Sequence, residues 1–307
     1  MRIEYKILWV EDVKSWYEGS RDLASEYLDD LGFKLTSKLC KTFDEVKAEF
    51  ELNQLKEYDL LLVDFTLAGS PNGDEIIKFI REQKENPILT DVIFYSNDIE
   101  SVRESIKKYE LEGVYTAHRN DFTDKLELVI DTTIKKVQEV NPMRGLIMAE
   151  TSDLDDLMLI IISKILKSGM AEVFEKYISD EIKESIDNVS KKTLGSLPIT
   201  DKITDSRIFT SFHRAKCINK LFKESSKNGN PIGVDKFFDS YNKEVISTRN
   251  NFAHVKESIE NGGKVLISHA TGKKEVFNEE RCIQIRQSLI KYRETLENID
   301  KQVDSLP

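Results

Sequence analysis

Five times in the first 140 residues a short strand-like stretch gives way to one with helical spacing. The most restrictive of these runs is 59–63, Asp-Leu-Leu-Leu-Val, which stops at Asp64. A strand so uniformly apolar has no face to turn to water, so it must lie inside a sheet covered on both sides, as parallel strands joined through helices do. The other runs are 5–10, stopping at Glu11-Asp12; 33–36; 92–95, stopping at Ser96-Asn97-Asp98; and 113–116. Helical spacing follows them over 14–31, 43–55, 73–83, 100–109 and 122–138. This alternation predicts an α/β unit over 1–140, a doubly wound five-stranded parallel sheet with helices on both faces.

In such a sheet, ligands bind beyond the carboxyl ends of the strands. The residues expected there are Glu11 and Asp12 after the first strand, Asp64 after the third and Ser96 after the fourth. Three carboxylates brought together without a cation repel one another. Their convergence therefore points to a divalent ion held by oxygens, Mg²⁺ above all, which would in turn bind phosphate.

At Asn141-Pro142 the texture changes. A proline disfavours helix in the residue before it, so the last helix of the first unit is expected to end there and a second unit to occupy 143–307. That unit reads as an all-α bundle with helices over 153–168, 171–188, 205–223 and 234–255, separated by loops at 194–199 and 227–231. A small β-hairpin of 264–269 and 273–277 and a closing helix over 278–299 complete it. Asp153, Asp155 and Asp156 read as acids at a helix start. Charge divides along the same line: residues 1–140 hold 19 Lys+Arg against 30 Asp+Glu, and residues 141–307 hold 26 against 25. The net charge of −10 thus belongs to the first half, and the second is free to carry a local basic patch.

The longest apolar run, 157–162, falls far short of the ~20 residues of a membrane span, and the first six residues lack a secretory signal core. The expectation is a cytoplasmic protein with no membrane partner. Cys40, Cys217 and Cys282, odd in number and far apart, read as reduced, packed thiols.

Within the second unit the hexad Arg249-Asn250-Asn251-Phe252-Ala253-His254 places a histidine and an arginine on one short helical segment. Arginine offers a planar, always-charged donor fork suited to phosphate, and histidine titrates near neutrality and can move a proton. Together they point to phosphodiester chemistry. On a continuous helix Asn250 and His254 share one face, with Arg249 about 100° round from Asn250. Of the other histidines, His213 reads as packed on a helix, His269 belongs to the hairpin, and His118 lies near the acidic pocket.

With its acidic pair and Asp64 and Ser96 at successive strand ends, the stretch 1–140 resembles the receiver domain of two-component response regulators, a flavodoxin-like fold. The resemblance implies that Glu11 and Asp12, with Asp64 and the Thr66 carbonyl, bind Mg²⁺. It implies further that Asp64 accepts a phosphoryl group from a histidine kinase or another phosphodonor, and that Ser96 and Tyr115 form the switch that reports it. The family's lysine falls by spacing on His118, with Arg119 adjacent.

The stretch 143–307, a bundle with Arg-Asn-x-x-x-His late in a long helix and a hairpin afterwards, resembles the HEPN superfamily. In its catalytic members the motif implies RNA cleavage that is independent of metal and needs no cofactor. His254 would deprotonate a ribose 2′-OH or protonate the leaving oxygen, and Arg249 would stabilise charge growing on phosphate. Asn250 is the polar residue typical after the arginine. Such sites are commonly composite, built across a homodimer. A sensing fold joined to a potentially toxic nuclease implies a receiver-regulated ribonuclease, a stress or anti-phage defence effector. The alternative is a non-enzymatic signalling module whose HEPN half binds nucleotide, RNA or a partner protein.

Overall fold

The computed structural model describes residues 3–52, 54–69, 71–83, 88–135, 138–189, 197–227, 232, 236–253, 255–260, 263–268, 272 and 274–304, without the side chains of 184, 187–189 and 268. Two units emerge, Arg2–Glu139 and Val140–Pro307.

The first unit runs β1 (Glu4–Val10), α1 (Lys14–Asp30), β2 (Lys34–Cys40), α2 (Phe43–Glu51), β3 (Leu60–Asp64), α3 (Gly73–Arg81), β4 (Val92–Ser96), α4 (Ile99–Tyr109), β5 (Val114–His118) and α5 (Phe122–Lys135). Its five strands are all parallel in the order β2-β1-β3-β4-β5. Successive side chains point to opposite faces, so each strand feeds two cores. On one face Trp9, Leu62 and Tyr95 pack with Ala24 and Leu28 of α1 and Leu126 and Ile130 of α5. On the other Leu8, Val10, Leu61, Val63 and Phe94 pack with Val46 of α2, Ile76 and Ile80 of α3 and Val102 of α4. Every residue of β3 and β4 is buried, which explains their unbroken apolar runs. The edge strand β2 is half-exposed and extends to Cys40, past the expected end at Thr36, because an edge tolerates Ser37 and Lys38.

The second unit begins with α6 (Val140–Ile165), α7 (Ala171–Val189), the short α8 (Ile199–Thr204) and α9 (Ser211–Lys227). Here the structure corrects two expectations. Pro142 does not break the chain but sits in the first turn of α6, where a helix needs no backbone donor. Asp153, Asp155 and Asp156 consequently lie in mid-helix. The long helix expected over 234–255 is divided into α10 (Phe237–Tyr241), a π-helical turn (Asn242–Ile246) and α11 (Ser247–Ala253). Val255–Glu260 then forms a strand, β6, which pairs antiparallel with β7 (Gly263–Ser268). With β8 (Lys274–Phe277) these make a three-stranded sheet, one strand more than the expected hairpin. The closing helix is α12 (Glu279–Val303). α6 packs along α12 and α9, and Leu154, Met158, Ile161 and Ile165 of α6, Leu289 and Leu296 of α12 and Ile218 and Leu221 of α9 are all buried. The expected loop residues 194–196 and 228–231, His269 and His254 lie outside the described residues. Cys40, Cys217 and Cys282 are buried free thiols, and no described helix is long and apolar enough to cross a membrane.

Candidate functional site

The carboxyl ends of β1, β3 and β4 bring Glu11, Asp12, Asp64 and Ser96 to one end of the parallel sheet. One carboxylate oxygen from each of Glu11, Asp12 and Asp64 lies within 4.8 Å of the others. A cleft of about 490 Å³ opens there, lined by Asp12, Asp64, Thr66, Ser96, Asp98 and Arg119 among others. Asp12 faces it with one oxygen accepting from the Ala68 N–H at 2.8 Å, which ties the first strand end to the loop after β3. Ser96 Oγ accepts from the Asp98 N–H at 3.0 Å. The α3 end of the same loop is fixed by Gly73, whose N–H donates to the Phe65 carbonyl at 3.1 Å. An all-oxygen donor set with this spacing fits a hard divalent cation such as Mg²⁺.

The cation present at the acids is Arg119, one residue past the expected position. His118 ends β5 opposite Ser96 and uses its Nδ1 to accept from the Asn120 N–H at 3.1 Å, capping a short 3₁₀ turn. That turn carries Arg119 over the acids. Its Nη2 donates to Asp64 at 2.7 Å and to Glu11 at 2.9 Å. The guanidinium lies 4.7 Å from the Trp16 ring centroid and 5.6 Å from that of Tyr95. Tyr95 OH donates to Glu11 Oε2 at 3.0 Å. Burial, with the adjoining Glu11 charge, pushes the Asp64 carboxyl up to about 7, although Arg119 and the Thr66 N–H pull the other way. Burial likewise raises Glu11. Tyr115 stands apart, on β5 opposite Ile93, with 36% of its surface exposed, and does not line the cleft.

Trp16 and Tyr95 carry no functional signal in the sequence. Their aromatic character alone reads as core, and only the folded sheet shows that they flank a guanidinium.

In the second unit, Arg249 projects from α11 onto α6 and α9. Its Nη1 donates to Ser211 Oγ at 3.0 Å and Asp155 Oδ2 at 3.3 Å. Ser211 itself donates to the same Asp155 oxygen, and Arg214 Nη1 donates to the Asp155 main-chain carbonyl at 3.1 Å. Burial raises the Asp155 carboxyl, against the pull of Ser211 and the two arginines. The Arg249 side chain keeps 31% of its surface exposed, and among the described residues its Nε and Nη2 donate to nothing. Asn250 is exposed on α11. Arg144 of α6 donates to the Phe252 carbonyl at 2.9 Å and the Val255 carbonyl at 3.3 Å, which satisfies acceptors at the end of α11. Neither Asp155 nor Arg144 carries a local signal that pairs it with residues about a hundred positions away.

No family model and no curated protein matches the chain. Similar solved structures exist for its N-terminal part, response regulators among them. One, from Chloroflexus aurantiacus J-10-fl, shares 15% identity over 43% of this chain and 98% of its own, with a TM-score of 0.34. The phosphorylated cyanobacterial phytochrome response regulator RcpA shares 17% over 43% and 96%, with a TM-score of 0.35. The Mn²⁺-bound form of the response regulator Rcp1 shares 20% over 41% and 92%, with a TM-score of 0.31.

Proposed function

We propose that the protein is a two-part signalling protein, in which a receiver unit takes a phosphoryl group on Asp64 and a HEPN-like unit acts on RNA under its control. The observation that carries this reading is the placement of Asp64 at the end of β3, on an open cleft beside Asp12 and the guanidinium of Arg119. A phosphoryl group arriving there meets a carboxylate nucleophile and a fixed cation. An Asp64 oxygen attacks phosphorus while the bond from phosphorus to the donor breaks, and the donor leaves with the bonding electrons. Glu11, Asp12 and Asp64, with the Thr66 carbonyl, would hold Mg²⁺. The ion, when bound, supplies positive charge for the phosphoryl oxygens. Arg119 and the Ser96 hydroxyl take the remaining oxygens, and Tyr115 senses the change. The donor is a histidine kinase or another phosphodonor. Acetyl phosphate with Mg²⁺ is expected to add one phosphoryl group in the parent and none in Asp64→Asn; a labelled Asp64→Asn or an unlabelled, folded parent overturns the reading.

For the second unit, the Nε and Nη2 edge of Arg249, which donates to nothing among the described residues, is a fork of the kind that grips phosphate. With His254 moving the proton and Asn250 beside them, the unit would cut RNA without metal, at a site shared between two protomers. Unstructured RNA in EDTA is expected to be cleaved by the parent and spared by Arg249→Ala and His254→Ala. Equal cleavage by all three would remove these residues from the chemistry. A second reading, in which the unit binds nucleotide, RNA or a partner protein without cutting, is favoured by the Arg249–Asp155 ion pair, which occupies part of the fork. Binding without products identifies it.

A further inference from the structure

Ser211, which accepts from Arg249 Nη1, opens α9, and the residue after it, Phe212, keeps 38% of its surface exposed. The chemistry at Arg249 and His254 makes no use of this ring. It is nonetheless held in place. Phe238 of α10 meets it at a near right angle with centroids 5.0 Å apart, and Lys216, one turn further along α9, sets its Nζ 5.0 Å from the ring centroid. Lys216 is tethered in turn to Glu181 of α7 at 2.8 Å. On the other side stands His213, 5.9 Å from Phe212 and stacked on the buried Phe209 at 6.2 Å. Its Nδ1 lies 3.3 Å from the Thr210 N–H, which can only donate, so the neutral imidazole carries its proton on Nε2. Burial favours that neutral form by lowering the His213 pKa. Among the described residues the Nε2–H donates to nothing.

A fixed exposed ring, an unused N–H donor beside it and a guanidinium fork one residue's contact away are the parts that hold single-stranded RNA. Its bases stack on aromatic side chains and are read by hydrogen bonds at their edges, while cations track the backbone. A base is flat and apolar on its face and polar at its rim, which suits a ring bordered by a histidine and a lysine better than an apolar protein side chain does. We infer that Phe212 and His213 form a nucleobase subsite, in which a base of single-stranded RNA stacks on the Phe212 ring and accepts from His213 Nε2 while a neighbouring phosphate rests on Arg249. Phe238 and Lys216 position the ring. The inference rests on the reading of the second unit as one that acts on RNA.

The test is the affinity of the full chain for a short, fluorescein-labelled unstructured RNA, read by anisotropy in EDTA with His254→Ala in every sample so that nothing is cut. A matched strand of stable abasic units keeps the phosphates without the bases. Phe212→Ala is expected to weaken RNA binding about tenfold, the worth of one stacked base, and Phe212→Trp to bind at least as well as the parent. Phe212→Leu keeps an apolar contact for Phe238 and should still lose about fivefold, so the subsite remains testable if the alanine variant folds poorly. His213→Ala should lose about fivefold, one neutral hydrogen bond. On the abasic strand all four are expected to match the parent within about twofold. Phe212→Ala should also leave the dependence of affinity on salt unchanged, whereas Arg249→Ala lowers its logarithmic slope by about 1. RNA affinity within about twofold of the parent in folded Phe212→Ala and Phe212→Leu, or an equal loss on the abasic strand, would overturn the subsite and leave the ring a packing or protein contact, with Arg249→Ala still reporting on the phosphate. A loss in the Phe212 variants without one in His213→Ala would overturn the edge contact alone. A parent that binds neither strand ends the RNA reading of the unit, and the subsite with it.

Discussion

Asp64 holds its place against its own electrostatics. Its folded pKa of about 7 compares with about 4 for an aspartate in an unfolded chain. Between those values the folded protein retains a proton that the unfolded chain has given up. Stability therefore falls as pH rises through this window and levels off above it. Asp64→Asn cannot ionise, so without divalent ions it is expected to melt above the parent at about pH 8 and to converge with it at about pH 4. A parent that gains on Asp64→Asn as pH rises would mean that Arg119 outweighs burial. In the second unit Asp155 is the carboxylate shared by Ser211 and Arg249. Asp155→Ala leaves two arginines together without it and is expected to cost about 3 kcal/mol in urea unfolding. A loss under about 0.5 kcal/mol would reduce the pair to a surface contact.

The closeness of elements around the cleft depends on one glycine. A Cβ on Gly73, at the start of α3, would lie 2.1 Å from the Asp64 carbonyl oxygen and 2.9 Å from the Phe94 and Val63 side chains. Backbone cannot yield as a side-chain tip can, so Gly73→Ala is expected to lower stability by about 3 kcal/mol. Gly19, inside α1, has nothing within 4 Å of its Cβ position. Gly19→Ala should therefore stabilise by about 0.5–1 kcal/mol, the ordinary helix-propensity gain. The two melts together separate a packing role from a generic glycine effect.

At this scale the α/β unit was readable wherever burial is two-sided. β3 and β4 announce themselves as apolar runs, and the acids and Ser96 are conspicuous because they end such runs. Legibility failed where context outside the strand decides. Arg119 reaches the acids through a 3₁₀ turn that shifts it one residue from the expected position. Pro142 looks like a breaker but occupies a first turn, and Val255–Glu260 has the polar alternation of a half-exposed strand that needs β7 beside it. The partner of Arg249 lies 94 residues away, a separation at which spacing carries no information.

On the scale of the whole chain, an acidic α/β unit of −11 precedes a nearly neutral helical unit of +1, from 19 basic against 30 acidic and 26 against 25 residues. A phosphoryl group would add negative charge to the unit that already carries the excess. If the two units form one device, that small local change must alter what happens at Arg249. The direct measurement is the rate of RNA cleavage by the full chain before and after treatment with acetyl phosphate and Mg²⁺, with labelling verified by intact mass and Asp64→Asn run alongside. The predicted result is a rate that changes in the parent and stays constant in Asp64→Asn; equal rates for labelled and unlabelled parent would contradict control of the helical unit through Asp64.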